Sequence, residues 1–373
     1  MRVAIVHHWF VTQGGGERVA ELFAEMFPDA DIFTLVVDPE HLPKGISLQR
    51  VTTSFLQRIP KAKHLHRNFF PLYPLAVEQL DLSSYDLVLT SDSGPMKGVI
   101  TNQNAIHVCY CHSPMRYIWD GYHSYIRDMS PMVRIPFALS AHYLRNWDYL
   151  AAQRVTHFIA NSDYVAGRIQ HFYGRESKVI HPPIDTQLGS ISDKIDDYYL
   201  AVGRLVPYKK TQILIEACNK LQRRLLVVGV GPEETRLRSM AGSTIRFMNS
   251  LLSSDLWDMY AHCRALLFAA DEDFGMVPLE SQACGRPVIA YGKGGSLETV
   301  RPVNQEYSYT GNQATGLFFY EQTADAVADA ILTFESIETT FSPKVIQEHA
   351  RKFDTAIFID QVHTFLSDKL TRK

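Results

Sequence analysis

Short apolar segments alternate with longer, helix-compatible stretches along most of the chain. Each segment is too short for a core helix, and most are largely apolar runs of the kind typical of a strand buried on both faces. Regular alternation of such strands with helices is typical of a doubly wound parallel sheet, which predicts the α/β class. The predicted strands are residues 2–9, 32–36, 87–90, 108–111, 158–161, 198–202, 225–230, 245–248, 265–268 and 288–291.

Between the strands, apolar residues recur with helical spacing. The predicted helices are residues 19–27 and 131–153, a helix that begins near Val277, and residues 324–334 and 345–370.

The alternation is interrupted near residues 181–197, where two consecutive prolines end a strand and a polar tract follows. A chain of 373 residues exceeds what one core ordinarily supports, so we expect two domains. The predicted parts are a Rossmann-like domain over residues 1–187, a second one over 188–350, and a C-terminal helix over 351–373 that packs back towards the first domain.

Composition and charge exclude several classes of protein. Apolar residues make up 46% of the chain and charged residues 21%, which is typical of a globular protein and not of a disordered one. The net charge of −3 argues against a nucleic-acid-binding protein. The five cysteines lie apart in apolar surroundings and indicate reduced, buried thiols. No segment resembles a signal peptide or a membrane span, so we expect a cytoplasmic protein, with peripheral contact to the inner face of a membrane left open.

A glycine-rich loop, Gly14 to Gly16, follows the first strand and leads into the first predicted helix. Glycines let the backbone approach a ligand closely, and a helix N-terminus offers N–H groups to an anion. The dinucleotide fingerprint G-x-G-x-x-G is absent, because Val19 holds its third glycine position. The loop therefore disfavours a nicotinamide cofactor, and it fits either a nucleotide-handling site or a plain turn.

Charged side chains follow two predicted strands of the C-terminal half. Arg204 and Lys209 come after the first strand of that half, at a strand-to-helix junction where phosphate oxygens are commonly bound. Glu272 follows a later strand, and Glu280 lies eight residues further on, in the first turns of a predicted helix. Because buried carboxylates need polar partners, we interpret this region as a site for a hydroxyl-rich ligand.

Two further features leave alternatives open. His112 follows a predicted strand, at the edge where side chains of open α/β sheets face ligands, although a histidine taken alone is more often structural. Residues 50–75 carry five lysines and arginines and no acid, beside aromatic residues that we expect to be exposed. Such a stretch fits a membrane surface or a lipid-linked acceptor, and it fits equally well a solvated helix followed by a packed loop.

Over nearly its whole length the sequence resembles the retaining glycosyltransferases of family 4. The most specific match is the E-x7-E pattern from Glu272 to Glu280, within EDFGMVPLESQACGRPVIA. The segment G-R-L-x-x-x-K at residues 203–209 and the glycine loop are supporting matches, whereas Lys210 stands where many members have glycine. The resemblance implies the GT-B fold, in which two Rossmann-like, doubly wound domains face a central cleft.

The resemblance also implies a role for each matching residue. Arg204 and Lys209 would neutralise the diphosphate of a nucleotide-sugar donor and stabilise it as a leaving group. Glu272 would bond hydroxyls of the donor sugar, and Glu280 would hold the ribose hydroxyls. His112 would contact the sugar near its anomeric carbon. The backbone of the following residues would complete the donor site: Gly15, Gly16, Phe274, Gly275, Met276 and Val277.

These roles imply a retaining hexosyltransferase that needs no metal ion and no other cofactor, because two cations take the place of a divalent ion on the diphosphate. The triplet Asp271-Glu272-Asp273 matches the metal motif D-x-D, but a match of three residues is weak. We expect a UDP-hexose, UDP-glucose in particular, or GDP-mannose as the donor. The expected acceptor is a saccharide or a lipid-linked oligosaccharide in surface exopolysaccharide biosynthesis, and not a nucleic acid. A nucleotide-sugar 2-epimerase of the same fold and a catalytically inactive nucleotide-binding module are the alternatives.

Overall fold

A computed structural model describes residues 1–12, 14–249, 253–303 and 313–371. The chain divides into two compact units, of which unit 1 comprises Met1–Pro182 and Ile359–Lys373, and unit 2 comprises Pro183–Phe358. Each unit is built on one parallel sheet with helices between its strands. The α/β class predicted from the alternation of apolar segments is confirmed.

In the part of unit 1 that the structure describes, the sheet has seven strands in the order β3-β2-β1-β4-β5-β6-β7, and all neighbouring pairs are parallel. The apolar pattern predicts five of them and misses β3 and β7, because each has three residues and neither is fully buried. The strands are β1 (Val3–Phe10), β2 (Asp31–Val37), β3 (Val51–Thr53), β4 (Leu87–Asp92), β5 (Ile106–Cys111), β6 (His157–Ala160) and β7 (Ser177–Val179).

One helix of unit 1 begins and ends at residue types that favour helix termini. Helix α6 (Asp163–Tyr173) begins after Ser162, whose hydroxyl accepts a hydrogen bond from the Val165 amide at 3.0 Å, and it ends at Gly174, which has φ +65°. The helices are α1 (Gly15–Met26), α2 (Ala62–Leu65), α3 (Tyr73–Glu78), α4 (Tyr122–Asp128), α5 (Pro131–Arg154) and α6 (Asp163–Tyr173).

Helix α1 begins four residues before its predicted start at Val19. Gly14, with an extended backbone at φ −167°, precedes the helix and offers no side-chain cap. The glycine loop therefore supplies the first turn of the helix as well as the turn before it. Gln13, which precedes this loop, lies outside the described residues.

The described residues of unit 2 form a six-stranded parallel sheet in the order β10-β9-β8-β11-β12-β13. Its strands are β8 (Tyr199–Val202), β9 (Leu225–Val228), β10 (Ile245–Met248), β11 (Ala265–Phe268), β12 (Val288–Tyr291) and β13 (Gly316–Phe319). The helices that follow in the chain are α7 (Thr211–Leu221), α8 (Glu234–Ser239), α9 (Ser253–His262), α10 (Met276–Ala283), α11 (Ser296–Thr299), α12 (Ala324–Ile337), α13 (Pro343–Ala350) and α14 (Thr355–Thr371).

The single helix predicted over residues 345–370 is wrong, because the segment forms two helices, α13 and α14. Asp354 interrupts it with an extended backbone at φ −66° and ψ 150°. This residue forms a parallel β-bridge with Ile184, and its carboxylate accepts a hydrogen bond from the Ala356 amide at 2.9 Å. Pairing with a segment 170 residues earlier thus stops one helix, and the Asp354 side chain begins the next.

Helix α14 begins in unit 2 and continues in unit 1, to which its residues from Ile359 belong. Phe358, Val362 and Leu366 are all buried, with 2%, 1% and 3% of their surface exposed. Residues spaced four apart share one face of a helix. The three residues therefore form one buried apolar stripe along α14.

In both sheets the strand order reverses beside the first strand. The reversal lies between β1 and β4 in unit 1 and between β8 and β11 in unit 2. Open parallel sheets bind ligands outside the carboxyl ends of the strands at this point. Arg204 follows β8 and Glu272 follows β11, so the predicted charged residues of unit 2 lie at its reversal.

Among the described helices, none combines the length and apolar character needed to cross a bilayer.

Acid is expected to destabilise both units through buried histidines. Burial lowers the pKa of His107, in β5, to about 3 and the pKa of His349, in α13, to about 4. Because these values lie below the usual histidine pKa of about 6.5, the unfolded chain binds more protons than the folded one under acidic conditions. The free energy of unfolding should therefore fall as the pH decreases from about 6.5 towards 4.

Urea unfolding between about pH 7 and pH 5 measures this dependence. A His107→Asn variant, which cannot take up that proton, should show a shallower slope than the parent protein. Equal slopes for both proteins would contradict the assignment to His107.

Candidate active site

The candidate site of unit 2 begins where β8 and β11 end. A cavity there is lined by residues that include Gly203, Arg204, Lys209, Thr211 and Phe268. Gly203 has φ +146°, a backbone conformation that favours glycine, and turns the chain out of β8. The cavity is thus formed by backbone as well as by the two predicted cations.

Lys209 and Glu272 form an ion pair in this cavity. Their side chains are mostly buried, with 14% and 19% of their surface exposed. The Lys209 Nζ atom also lies 5.7 Å from the centre of the Phe268 ring, a distance typical of a cation–π contact. The structure therefore brings together a cation and a carboxylate that lie 63 residues apart in the sequence.

Arg204 lies at the rim of the cavity and is exposed. Lys210, just after Lys209, has a left-handed backbone with φ +54° and ψ 28°. Glycine adopts this conformation at less cost than lysine does. This geometry explains why glycine suits the position that Lys210 occupies, and the chain keeps the same turn with a lysine.

The loop that carries Glu272 rests on the backbone of two glycines. The Gly295 amide donates to the Glu272 carbonyl at 2.8 Å. A Cβ atom on Gly295 would lie 2.1 Å from Phe274 Cα, and one on Gly294, which has φ +65°, would lie 2.4 Å from the Glu272 carbonyl oxygen. Only glycine fits at such distances, so this close packing fixes the Glu272 to Phe274 loop.

Helix α10 starts directly after this loop. Gly275, with φ +95°, precedes it and provides no side-chain cap. The first amides of a helix have no partner inside the helix, and here they belong to Met276 and Val277. The backbone that we predict as a donor contact is thus a helix N-terminus at the edge of the sheet.

Glu280 lies on α10, and the Tyr260 hydroxyl donates to its Oε2 atom at 2.7 Å. Tyr260 is completely buried. Burial raises the pKa of the Glu280 carboxyl, whereas the hydrogen bond from Tyr260 and the charge of Lys209 act against this rise. Tyr260 thus fixes one oxygen of the carboxylate. The sequence pattern does not identify Tyr260 as the partner of Glu280, because Tyr260 fits the apolar pattern of α9.

The predicted residues of unit 1 lie at the carboxyl edge of its sheet. A Cβ atom on Gly16 would lie 3.6 Å from His112 Nε2, so the glycine loop and His112 are neighbours. His112 Nε2 also lies 2.8 Å from the Ser91 hydroxyl. Ser91 Oγ in turn lies 3.1 Å from His7 Nδ1.

Three neighbouring side chains are absent from the set of site residues predicted from the sequence: His7, His8 and Glu17. All three side chains are buried. Burial lowers the pKa of His7 to about 3, lowers that of His8 well below its usual value, and raises the pKa of Glu17 to about 7. The available signal was a pair of adjacent histidines in the second half of a buried strand, followed by an acid just after the glycine loop.

The basic and aromatic stretch at residues 50–75 is partly structural. The expectation of exposed aromatic residues is wrong, because Tyr73 is 3% exposed and Phe69 and Phe70 pack against the core of unit 1. Arg50 donates to the Ala30 carbonyl at 2.6 Å. The large hydrophobic side chains of this stretch that do face solvent are aliphatic: Leu65, Leu72 and Leu75 are 37%, 37% and 62% exposed.

Two family models match consecutive parts of the chain. The model described as Glycosyltransferase Family 4 matches residues 13–188, and the model described as Glycosyl transferases group 1 matches residues 189–353. Together they cover residues 13–353 without a gap.

Curated relatives match over part of their length. A GDP-mannose-dependent monoacylated alpha-(1-6)-phosphatidylinositol monomannoside mannosyltransferase of Corynebacterium glutamicum is 33% identical over 147 residues, which is 35% of each chain. A D-inositol 3-phosphate glycosyltransferase of Kribbella flavida is 28% identical over 231 residues, which is 52% of each chain. The chain therefore spans about a third to a half of the length of these relatives.

Solved structures match over nearly the whole chain. HepE of Anabaena in complex with UDP has a TM-score of 0.70 and 18% identity, with 99% of this chain and 100% of that chain covered. The sucrose-phosphate synthase of Thermosynechococcus elongatus has a TM-score of 0.70 and 16% identity, with 100% of both chains covered. At such identities the likeness concerns the fold alone.

Proposed function

Because the chain belongs to the glycosyltransferases that join a family 4 domain to a group 1 domain in the GT-B fold, we propose that it is a retaining hexosyltransferase. It transfers a hexosyl group from a nucleoside-diphosphate sugar to a saccharide or lipid-linked oligosaccharide acceptor. The observation that carries this proposal is the mostly buried Lys209–Glu272 pair beside Arg204, at the sheet reversal of unit 2.

The charges at this place suit the departure of a diphosphate. Breaking the bond between a sugar and a diphosphate builds positive charge on the anomeric carbon and negative charge on the phosphate. Lys209 and Arg204 supply two fixed positive charges for the leaving group. In the structure, Glu272 pairs with Lys209. When the donor binds, phosphate oxygens replace the Glu272 carboxylate beside the lysine. Glu272 then accepts hydrogen bonds from sugar hydroxyls.

The nucleoside is held by α10 in this proposal. Glu280 accepts hydrogen bonds from the ribose hydroxyls with its carboxylate, to which Tyr260 also donates. The helix N-terminus at Met276 and Val277 favours negative charge and supports the sugar or its phosphate. In unit 1, Gly15, Gly16 and His112 keep the roles that the family resemblance implies: the backbone near the diphosphate and an imidazole near the anomeric carbon.

Donor and acceptor classes follow from chemistry and from the relatives. GDP-mannose appears in the name of the Corynebacterium relative, and UDP-glucose is bound in a structure of Anabaena HepE. We place UDP-glucose first and GDP-mannose second. Exposed Leu72 and Leu75 beside the basic residues of segment 50–75 support a lipid-linked acceptor of surface polysaccharide synthesis. The protein would then act at the cytoplasmic face of the membrane.

A donor panel tests the proposal. UDP-glucose, other UDP-hexoses and GDP-mannose are compared for thermal stabilisation of the protein and then for transfer to saccharide acceptors. The true donor should stabilise the parent protein and stabilise a Glu280→Gln variant much less. Transfer to an acceptor supports the proposal. Interconversion of the donor sugar would instead indicate a 2-epimerase, and binding without turnover an inactive module.

Transfer is expected to continue at an undiminished rate when Mg²⁺ and Mn²⁺ are withheld and traces are removed with a chelator. The physical reason is that Arg204 and Lys209 already neutralise the diphosphate. The measurement is the initial rate of nucleotide release with and without these ions. If nucleotide release stopped completely without these ions and Mg²⁺ or Mn²⁺ restored it, the proposal that the diphosphate departs without a metal ion would be contradicted.

A further inference from the structure

Three buried side chains near the carboxyl end of β1 have the composition of a metal site. His7 and His8 are the fifth and sixth of the eight residues of this strand, and Glu17 lies in the first turn of α1. One donor atom from each of the three lies within 4.8 Å of the other two. The side chains are 0%, 6% and 7% exposed. Within the described ranges, no other group of three His, Cys, Asp or Glu side chains converges so closely.

Both imidazoles keep a nitrogen without a partner. His7 Nε2 and His8 Nδ1 are buried and make no hydrogen bond to any of the described residues. A buried polar atom in this state is costly unless a ligand satisfies it. The two rings lie 4.1 Å apart between their centres, although neighbouring residues in a strand ordinarily point to opposite faces.

The surroundings fix the tautomer of His7. Its Nδ1 atom lies 3.1 Å from the Ser91 backbone carbonyl, which can only accept a hydrogen bond. His7 Nδ1 therefore carries the proton, and Nε2 carries the unused lone pair. A hydrogen bond from the second ring nitrogen to a backbone carbonyl is also how metal-binding histidines are ordinarily oriented.

The space around Glu17 allows its carboxylate to turn towards His7 Nε2 and His8 Nδ1. Its Oε1 atom accepts one long hydrogen bond, 3.4 Å, from the Thr12 hydroxyl. A Cβ atom at Gly14 would lie 3.1 Å from Glu17 Oε2, so the glycine leaves this side of the carboxylate open.

We propose that His7, His8 and Glu17 bind one divalent transition-metal ion, with Zn²⁺ as the best fit, and leave one coordination position open. Two imidazoles and a carboxylate form an established zinc ligand set with an open fourth position. Mg²⁺ and Ca²⁺ prefer oxygen ligands and are disfavoured. Donors bound to zinc lie about 3.3 Å apart, so the side chains close by up to about 1.5 Å on binding.

This site departs from the expectation that the chain holds no metal, and it lies in unit 1, whereas Arg204 and Lys209 belong to unit 2. It does not depend on the proposed sugar transfer. The alternative is a metal-free site in which a protonated Glu17 carboxyl donates a hydrogen bond to one of the imidazoles.

The test uses the full chain without donor or acceptor. Metal-stripped protein is titrated with Zn²⁺ in a calorimeter, its metal content is measured after dialysis, and its melting temperature is followed. We expect one equivalent of Zn²⁺ and a rise of roughly 5 to 10 °C at a free ion concentration about a hundred times the dissociation constant. Co²⁺ should give the d–d absorption of a four- or five-coordinate site.

Matched variants decide whether these residues are the ligands. His8→Asn and Glu17→Gln should each weaken Zn²⁺ binding at least about a hundredfold. His64→Ala, which removes an exposed histidine of the same unit, should bind as the parent does. The proposal is overturned if the parent takes up no stoichiometric Zn²⁺, or if all four proteins bind it equally. Because no sugar is present, neither result bears on the transferase reaction.

Discussion

Replacement of Lys209 by alanine is expected to lower kcat for sugar transfer by about 10²- to 10³-fold, and Arg204→Ala should have an effect of the same order. A preorganised cation stabilises the charge that develops on the leaving diphosphate, and water in the vacated space must reorganise to replace it. Lys209 is held by Glu272 and lies near the Phe268 ring, so its charge is fixed before donor binds.

The neighbouring Lys210 offers a control of the same charge. It is exposed, and Lys210→Ala should leave kcat within a small factor of the parent value. Lys209→Arg keeps the charge but changes the geometry, so it should recover part of the rate. Steady-state rates of nucleotide release measure all four variants, with melting temperatures to confirm folding. Near-normal kcat in both Arg204→Ala and Lys209→Ala would refute the proposed charge stabilisation.

A Lys97→Met variant is expected to lower the free energy of unfolding of unit 1 by about 3 to 5 kcal/mol. Lys97 is completely buried and pairs with two buried carboxylates, those of Asp92 at 3.3 Å and Asp148 at 2.5 Å. Without the lysine, these carboxylates keep their burial but lose the positive charge between them. Burial already raises the pKa of Asp92, and Lys97 opposes that rise.

The same carboxylates have structural partners that the variant would disturb. Asp92 accepts hydrogen bonds from the Gly94 and Met96 amides at 2.9 Å each, and Asp148 accepts them from Trp119 and Tyr173 at 2.8 and 2.7 Å. Asp92 also ends the strand that carries Ser91. Loss of the lysine should therefore loosen the edge of unit 1 where His112 lies.

Urea and thermal unfolding measure the effect of Lys97→Met. Lys220→Met, which removes a cation from an exposed ion pair with Asp325, is the control and should leave the midpoint unchanged. The double variant Lys97→Met/Asp92→Asn should regain part of the lost stability, because one of the unpaired charges is removed with the lysine. If Lys97→Met is as stable as the parent, the buried group formed by Lys97, Asp92 and Asp148 does not contribute to stability.

The sequence predicts the elements whose signal is local. Buried strands such as β1 and β11 carry continuous apolar runs, and their positions are confirmed. The three-residue strands β3 and β7 give no such run. The break between α13 and α14 depends on the bridge from Asp354 to Ile184, which no local pattern contains.

The candidate site likewise contains residues that the sequence predicts and residues that it does not. Order along the chain places Arg204, Lys209 and Glu272 after strands β8 and β11, and a parallel sheet then brings them to one edge. Tyr260 escapes prediction because its role depends on the direction of one hydroxyl towards Glu280. The pair His7 and His8 escapes prediction because a strand pattern assigns neighbouring residues to opposite faces, whereas the centres of the two rings lie 4.1 Å apart.

The path of helix α14 bears on the order in which the protein is made and folds. Residues 1–182 leave the ribosome first, yet unit 1 also includes the residues from Ile359 onward, with buried Val362 and Leu366. Domains ordinarily fold during synthesis in the order in which they emerge. Here the unit that is synthesised first completes its core only after unit 2 has been translated, so a nascent chain that stops before Ile359 leaves apolar surface of unit 1 uncovered.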